Sequence, residues 1–138
     1  MRKFLLAALF SAFCLVTFSA CAPKYVNDDE VKAVADGLVY MLTTAGKSGD
    51  NCEDFANNVN QYFDTNGAKI ERGVKNVVAD DEKMKSALYV IGLTDPDTAP
   101  FEKIVDLCKD RDDMQKVLNR YTELYENSGF NKASEKFQ

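Results

Sequence analysis

The chain has 138 residues, of which 22 are acidic and 17 basic, and it contains no histidine. The formal net charge of −5 disfavours nucleic acid as a ligand, because anionic phosphates attract basic surfaces. The lack of histidine removes the commonest general base and the commonest transition-metal ligand. No CxxC, HExxH, GxSxG or SxxK motif occurs. The sequence therefore predicts no cofactor, no metal site and no catalytic residue.

The N-terminal segment, residues 1–20, has the pattern of an export signal peptide. Arg2 and Lys3 form a basic start, residues 4–18 form a largely apolar run, and two small residues stand directly before Cys21. The apolar run is too short for a membrane-spanning helix, which needs about 20 apolar residues. We interpret it as a signal that is removed from the mature chain.

The sequence Phe18-Ser19-Ala20-Cys21 resembles the lipobox of bacterial lipoproteins, with Phe where that family usually carries Leu. The resemblance implies that Cys21 becomes the mature N-terminus and carries lipid on its sulfur, which is the predicted membrane contact. It also implies a place in the cell envelope, on the outer membrane and facing the periplasm, because Ala22 stands where Asp would favour the inner membrane. The alternative is ordinary cleavage after Ala22, which would give a secreted or soluble periplasmic protein, although Pro23 disfavours that cut.

The cysteine pattern agrees with export. Cys14 leaves with the signal and Cys21 takes the lipid, so Cys52 and Cys108 remain in the folded part. In an oxidising compartment such a pair most simply forms one disulfide. Two buried free thiols are the alternative.

The mature chain has about 118 residues, which is enough for one domain. After a predicted tether at residues 21–26, acidic residues precede a first helical pattern from Val31 to Ala45, which ends at the glycine-containing segment 46–49. A second pattern begins near Asp50 or Asn51. The segment Asp64-Thr-Asn-Gly67 has turn composition, yet the apolar stripe continues to Val78. Residues 51–79 thus form either one long kinked helix, which we favour, or two helices.

Three further helices are predicted in the second half of the chain. Asp80 or Asp81 opens the third, which Gly92 and a proline-bounded loop end. Thr98 opens the fourth. The last begins near Asp112 and ends at Gly129. The prediction is an all-α, antiparallel bundle of four to five helices over residues 27–129 with one disulfide, followed by a flexible tail at 130–138.

Aromatic side chains give the remaining indication of function. Tyr62 and Phe63 on one helix, with Tyr121 and Tyr125 on another, are the principal candidates for lining an amphipathic groove. Tyr40 and Tyr89, elsewhere in the chain, are further candidates. Aromatic residues at helical spacing are more often the rim of a core. The sequence favours a non-catalytic, lipid-anchored protein that binds an envelope protein partner. The alternative is a periplasmic carrier of a small apolar ligand inside the bundle.

Overall fold

The computed structural model describes residues 22–137, which form helices and no strand. The export signal and Cys21 lie outside the described residues. The helices are α1 (Asp29–Ser48), α2 (Cys52–Val78), α3 (Asp81–Thr94), α4 (Ala99–Cys108), α5 (Asp112–Tyr121) and α6 (Phe130–Ser134). A π-helical turn, Thr122–Glu126, extends α5, and a 3₁₀ turn, Glu135–Phe137, extends α6. The all-α bundle is confirmed, with six helices in the described residues instead of four or five.

Polar side chains fix where the first three helices begin. Asp28, Asn51 and Asp80 precede α1, α2 and α3, and each accepts a backbone N–H bond from the first turn of its helix. These bonds satisfy donors that have no partner inside the helix. The predicted starts of these helices are therefore confirmed to within a residue or two.

Two helices end in the segments that the sequence predicted, although the first glycine of each segment stays helical. Gly46 stays helical, and α1 ends at Ser48 because Gly49 takes a left-handed φ of 59°. Gly92 also stays helical. The third helix ends at Thr94. The next residue, Asp95, has a φ of 43°, and Pro96 disfavours a right-handed helical conformation in the residue before it.

The long second helix is continuous, as we favoured, and its turn-like segment has a packing role. The Arg120 guanidinium of α5 donates to the Asp64 carboxylate at 2.8 Å and to the Phe63 carbonyl oxygen at 2.8 Å. A Cβ atom on Gly67 would stand 3.0 Å from the same guanidinium. The polar and glycine residues in the middle of α2 therefore receive Arg120 and do not make a turn.

Helices α1 and α2 pack antiparallel along their length and form the centre of the bundle. The start of α1 meets the end of α2, where a Cβ atom on Gly73 would lie only 2.7 Å from the Glu30 carbonyl oxygen. The close approach of the two backbones therefore requires glycine at this position. Asn76 of α2 also donates to the Glu30 carboxylate across this contact.

The predicted disulfide is confirmed. Cys52 at the start of α2 is bonded to Cys108 at the end of α4, with the two Cα atoms 5.7 Å apart. The bond joins residues 56 apart in sequence and holds the short fourth helix against the bundle.

Both ends of the described chain are packed, which corrects two predictions. In the predicted tether, the Tyr25 N–H donates to the Ser86 hydroxyl of α3 at 3.1 Å, and the Tyr25 ring packs partly against the core. The predicted flexible tail is wrong for residues 130–137, because Phe130 is 1% exposed and Ser134 is fully buried. Gly129, with a φ of 85°, turns the chain back onto the bundle.

Candidate functional site

The predicted aromatic groove is wrong for three of its four principal residues. Phe63 and Tyr121 are each 1% exposed and Tyr125 is fully buried, so all three belong to the core. Tyr121 stacks on Tyr125 with ring centroids 5.7 Å apart, and Phe130 meets Tyr125 edge-on at 5.5 Å. The competing interpretation, that these aromatics are core residues, is correct for these three.

The two buried tyrosines are held as neutral phenols. Burial raises the pKa of Tyr121 to about 12 and the pKa of Tyr125 well above its usual range. The Tyr125 hydroxyl donates to the Val34 carbonyl oxygen at 2.9 Å, which satisfies the buried donor. The two tyrosines therefore have a structural role in the core.

Tyr62, the fourth predicted groove residue, is half-buried at the surface where α1 and α2 meet. Its ring stacks on that of Tyr40 from α1, with centroids 4.1 Å apart and planes 13° from parallel. Burial, and then the negative charge of Asp36, raise the pKa of the Tyr62 hydroxyl. At neutral pH that hydroxyl stays protonated and can donate a hydrogen bond to a ligand.

A polar cleft, which we call the α1–α2 cleft, opens beside Tyr62 and has a volume of about 170 Å³. It presents carboxylates, ammonium groups, an amide and the Tyr62 phenol. Its lining residues are Asp29, Lys32, Ala33, Asp36, Tyr62, Asn66, Lys69 and Ile70. The volume lies below the roughly 300 Å³ at which small-molecule pockets begin. Its size and mixed charge suit one or two polar side chains of a partner.

The polar residues in the middle of α2 and at the start of α5 have structural partners. Asp64 is bound by Arg120, and the Asn66 amide donates to the Tyr62 carbonyl oxygen at 3.0 Å. The Asp113 carboxylate accepts two hydrogen bonds from the Arg111 guanidinium, and this hydrogen bonding lowers the pKa of Asp113. Within residues 22–137, no group of three or more acidic or cysteine side chains could hold a metal ion.

Sequence reasoning named both Tyr62 and Tyr40 as groove candidates, but it did not predict that their rings stack or that charged residues form a cleft beside them. Tyr40 and Tyr62 are 22 positions apart on different helices, and their contact depends on the register between α1 and α2. The short connection at residues 49–51 makes the two helices antiparallel neighbours. It does not by itself give the register that stacks the two rings.

No helix among residues 22–137 combines the length and the apolar character needed to cross a lipid bilayer. No protein-family model, curated protein or solved structure matches the chain.

Proposed function

We propose that the mature chain is a lipid-anchored envelope protein that acts by binding a partner protein and carries out no catalysis. The lipobox-like sequence at Cys21 supports the anchor and an outer-membrane, periplasm-facing location. The Cys52–Cys108 bond supports export, because disulfides persist in oxidising compartments.

The observation that carries the binding proposal is the stacked pair of Tyr40 and Tyr62 beside the α1–α2 cleft. Tyrosine is enriched at protein interfaces because it combines a large apolar ring with a hydrogen-bonding hydroxyl. The two rings hold each other in place, so little side-chain freedom remains to be lost on binding. Asp36 and Lys69 in the cleft supply charges of both signs for specificity.

The packing of the interior favours a protein partner over the carrier alternative. A carrier needs an enclosed apolar pocket inside the bundle, where Phe63, Tyr121 and Tyr125 lie. These side chains are at most 1% exposed and pack against the rest of the core. An apolar ligand would have to displace them.

The anchor is tested by replacing Cys21 with Ser in the full-length chain. We expect the signal to remain uncleaved and the N-terminal peptide to lack acyl chains in mass spectrometry, whereas the wild-type peptide carries them. Normal cleavage with release of a soluble protein would contradict the anchor and support the secreted alternative.

Partner binding is tested by placing a photo-crosslinking phenylalanine analogue at Tyr40 in living cells. We expect a defined crosslinked product from this position. The matched control is the same analogue at Leu107, which is 57% exposed on α4. Absence of a product at position 40, or the same product at both positions, would contradict binding at the Tyr40–Tyr62 surface.

A further inference from the structure

The third helix carries apolar side chains on its outward face as well as on its inward face. Leu93 is 67% exposed, and Tyr89, one helical turn before it, is half-buried. Residues four apart lie on the same side of a helix. A surface helix normally presents charged and polar residues outward. Tyr89 and Leu93 therefore form an apolar patch on the outward face of α3.

The N-terminal segment docks on this helix and brings the predicted anchor to it. The Tyr25 N–H bonds to the Ser86 hydroxyl, which itself donates to the Glu82 carbonyl oxygen of α3 at 2.7 Å. Only four residue steps separate Tyr25 from Cys21. Since an extended chain spans at most about 3.6 Å per residue, the chain between Tyr25 and Cys21 can reach no farther than roughly 14 Å.

Lysine side chains surround the docked segment. The Lys24 and Lys83 ammonium groups lie 5.3 Å and 5.5 Å from the centre of the Tyr25 ring. Lysine and tyrosine suit the surface of a bilayer, because each has an apolar body and a polar end. Ammonium groups there attract the phosphates of anionic lipids. Lys85 adds less, because it is paired with Glu82 at 2.9 Å.

We infer that the outward face of α3, together with Lys24 and Tyr25, lies against the membrane that holds the lipid of Cys21. This inference rests on the lipid anchor of the proposed function. Tyr89 and Leu93 enter the headgroup region, while Lys24 and Lys83 face the lipid phosphates. The lipid and the helix together fix the orientation of the domain on the membrane. A single flexible lipid attachment would leave that orientation free.

The test uses the fact that the chain contains no tryptophan. Full-length protein carrying Leu93→Trp is purified from membranes and reconstituted into vesicles of phosphatidylethanolamine and phosphatidylglycerol with brominated acyl chains. Leu107→Trp is the matched control, because Leu93 and Leu107 are 67% and 57% exposed. We expect severalfold stronger bromine quenching and a blue-shifted emission for Leu93→Trp. Tyr89→Trp provides a second position on the same face, with the same expected result.

The outcomes separate the inference from the anchor on which it rests. Flotation of the wild-type protein with the vesicles, together with an acylated N-terminal peptide, establishes the anchor. If the protein floats but Leu93→Trp and Tyr89→Trp are quenched no more than Leu107→Trp, the membrane face is overturned and the anchor stands. If the protein neither floats nor carries acyl chains, the anchor fails and the inference fails with it.

Discussion

The hydroxyl of Tyr125 donates to the carbonyl oxygen of Val34 at 2.9 Å and thereby connects the π-helical turn after α5 to the middle of α1. Gly37 makes this contact possible, because a Cβ atom there would stand 2.2 Å from the Tyr125 hydroxyl oxygen. The neighbouring rings of Tyr121 and Phe130 hold Tyr125 in place. Gly37 is therefore the point at which the C-terminal aromatics dock on the first helix.

We expect Gly37→Ala to lower the free energy of unfolding by about 1–3 kcal/mol, the usual cost of overpacking a core. The control is Gly46→Ala in the same helix, where an added Cβ meets nothing within 4 Å. That control should leave stability unchanged or raise it by up to about 1 kcal/mol, because alanine favours helix. Urea unfolding followed by circular dichroism measures both. Equal stability of the two variants would contradict a rigid contact at Gly37.

Removing the hydroxyl should relieve part of that overpacking. Tyr125→Phe alone should cost about 1 kcal/mol through the lost hydrogen bond. In the double variant with Gly37→Ala, the new methyl group would meet the ring carbon at 3.5 Å, an ordinary contact, although the Ile70 side chain at 3.0 Å must still shift. The double variant should therefore lose less stability than the two single losses added together. If the stability loss of the double variant equals the sum of the two single losses in urea, the contact between position 37 and the Tyr125 hydroxyl is contradicted.

The disulfide should supply a large share of the stability. In the chain-entropy model, a bond between residues 56 apart stabilises the fold by about 4 kcal/mol. We expect Cys52→Ala with Cys108→Ala to lower the unfolding free energy by about that amount in urea. Alkylation of the unfolded mature chain without reductant should label neither Cys52 nor Cys108 in an intact-mass measurement. Labelling of both would contradict the bond in the cellular protein.

Local sequence signals predicted the parts of the fold that depend on residues close together in the sequence. The caps at Asp28 and Asp80 and the stripe that continues through α2 follow from helix spacing and capping chemistry alone. The composition around Asp64 indicated a turn. In the structure this segment is helical, and Asp64 binds Arg120, which is 56 residues away in sequence. No local pattern reveals such a partner.

The candidate site and the C-terminal segment were harder to predict for the same reason. Tyr121 and Tyr125 have the spacing of a core stripe and of a groove alike, and only the docking of Phe130 over Tyr125 decides between them. Phe130 and Phe137, in an otherwise polar segment after Gly129, looked too few to order the tail. Tertiary packing placed Phe130 in the core.

Phe130 should therefore be needed for stability. We expect Phe130→Ala to cost about 3–5 kcal/mol, the usual range for a fully buried phenylalanine. Phe137→Ala is the control, because that residue is only partly buried in the terminal turn, and it should cost distinctly less. Thermal unfolding of both variants beside the wild type measures the difference. A wild-type melting temperature for Phe130→Ala would support the flexible tail that the sequence predicted.

Alkaline pH should destabilise the fold through the buried tyrosines. Burial raises the pKa of Tyr121 from 10.0 to about 12 and raises that of Tyr125 in the same direction. As pH rises above about 10, each tyrosine loses its proton in the unfolded chain and keeps it in the folded chain. The unfolded state then binds fewer protons, so the free energy of unfolding falls as pH rises.

The stability contributed by the raised pKa of Tyr121 is fully present below pH 10 and is lost as pH approaches about 12. The difference between a pKa of 10.0 in the unfolded chain and about 12 in the folded chain corresponds to roughly 3 kcal/mol of folding stability. Urea unfolding at a series of alkaline pH values measures the loss, and tyrosinate absorbance follows the ionisation. Tyr121→Phe should flatten the pH dependence of the unfolding free energy, because phenylalanine has no proton to lose. If the free energy of unfolding falls with pH as steeply in Tyr121→Phe as in the wild type, the alkaline sensitivity arises elsewhere in the chain.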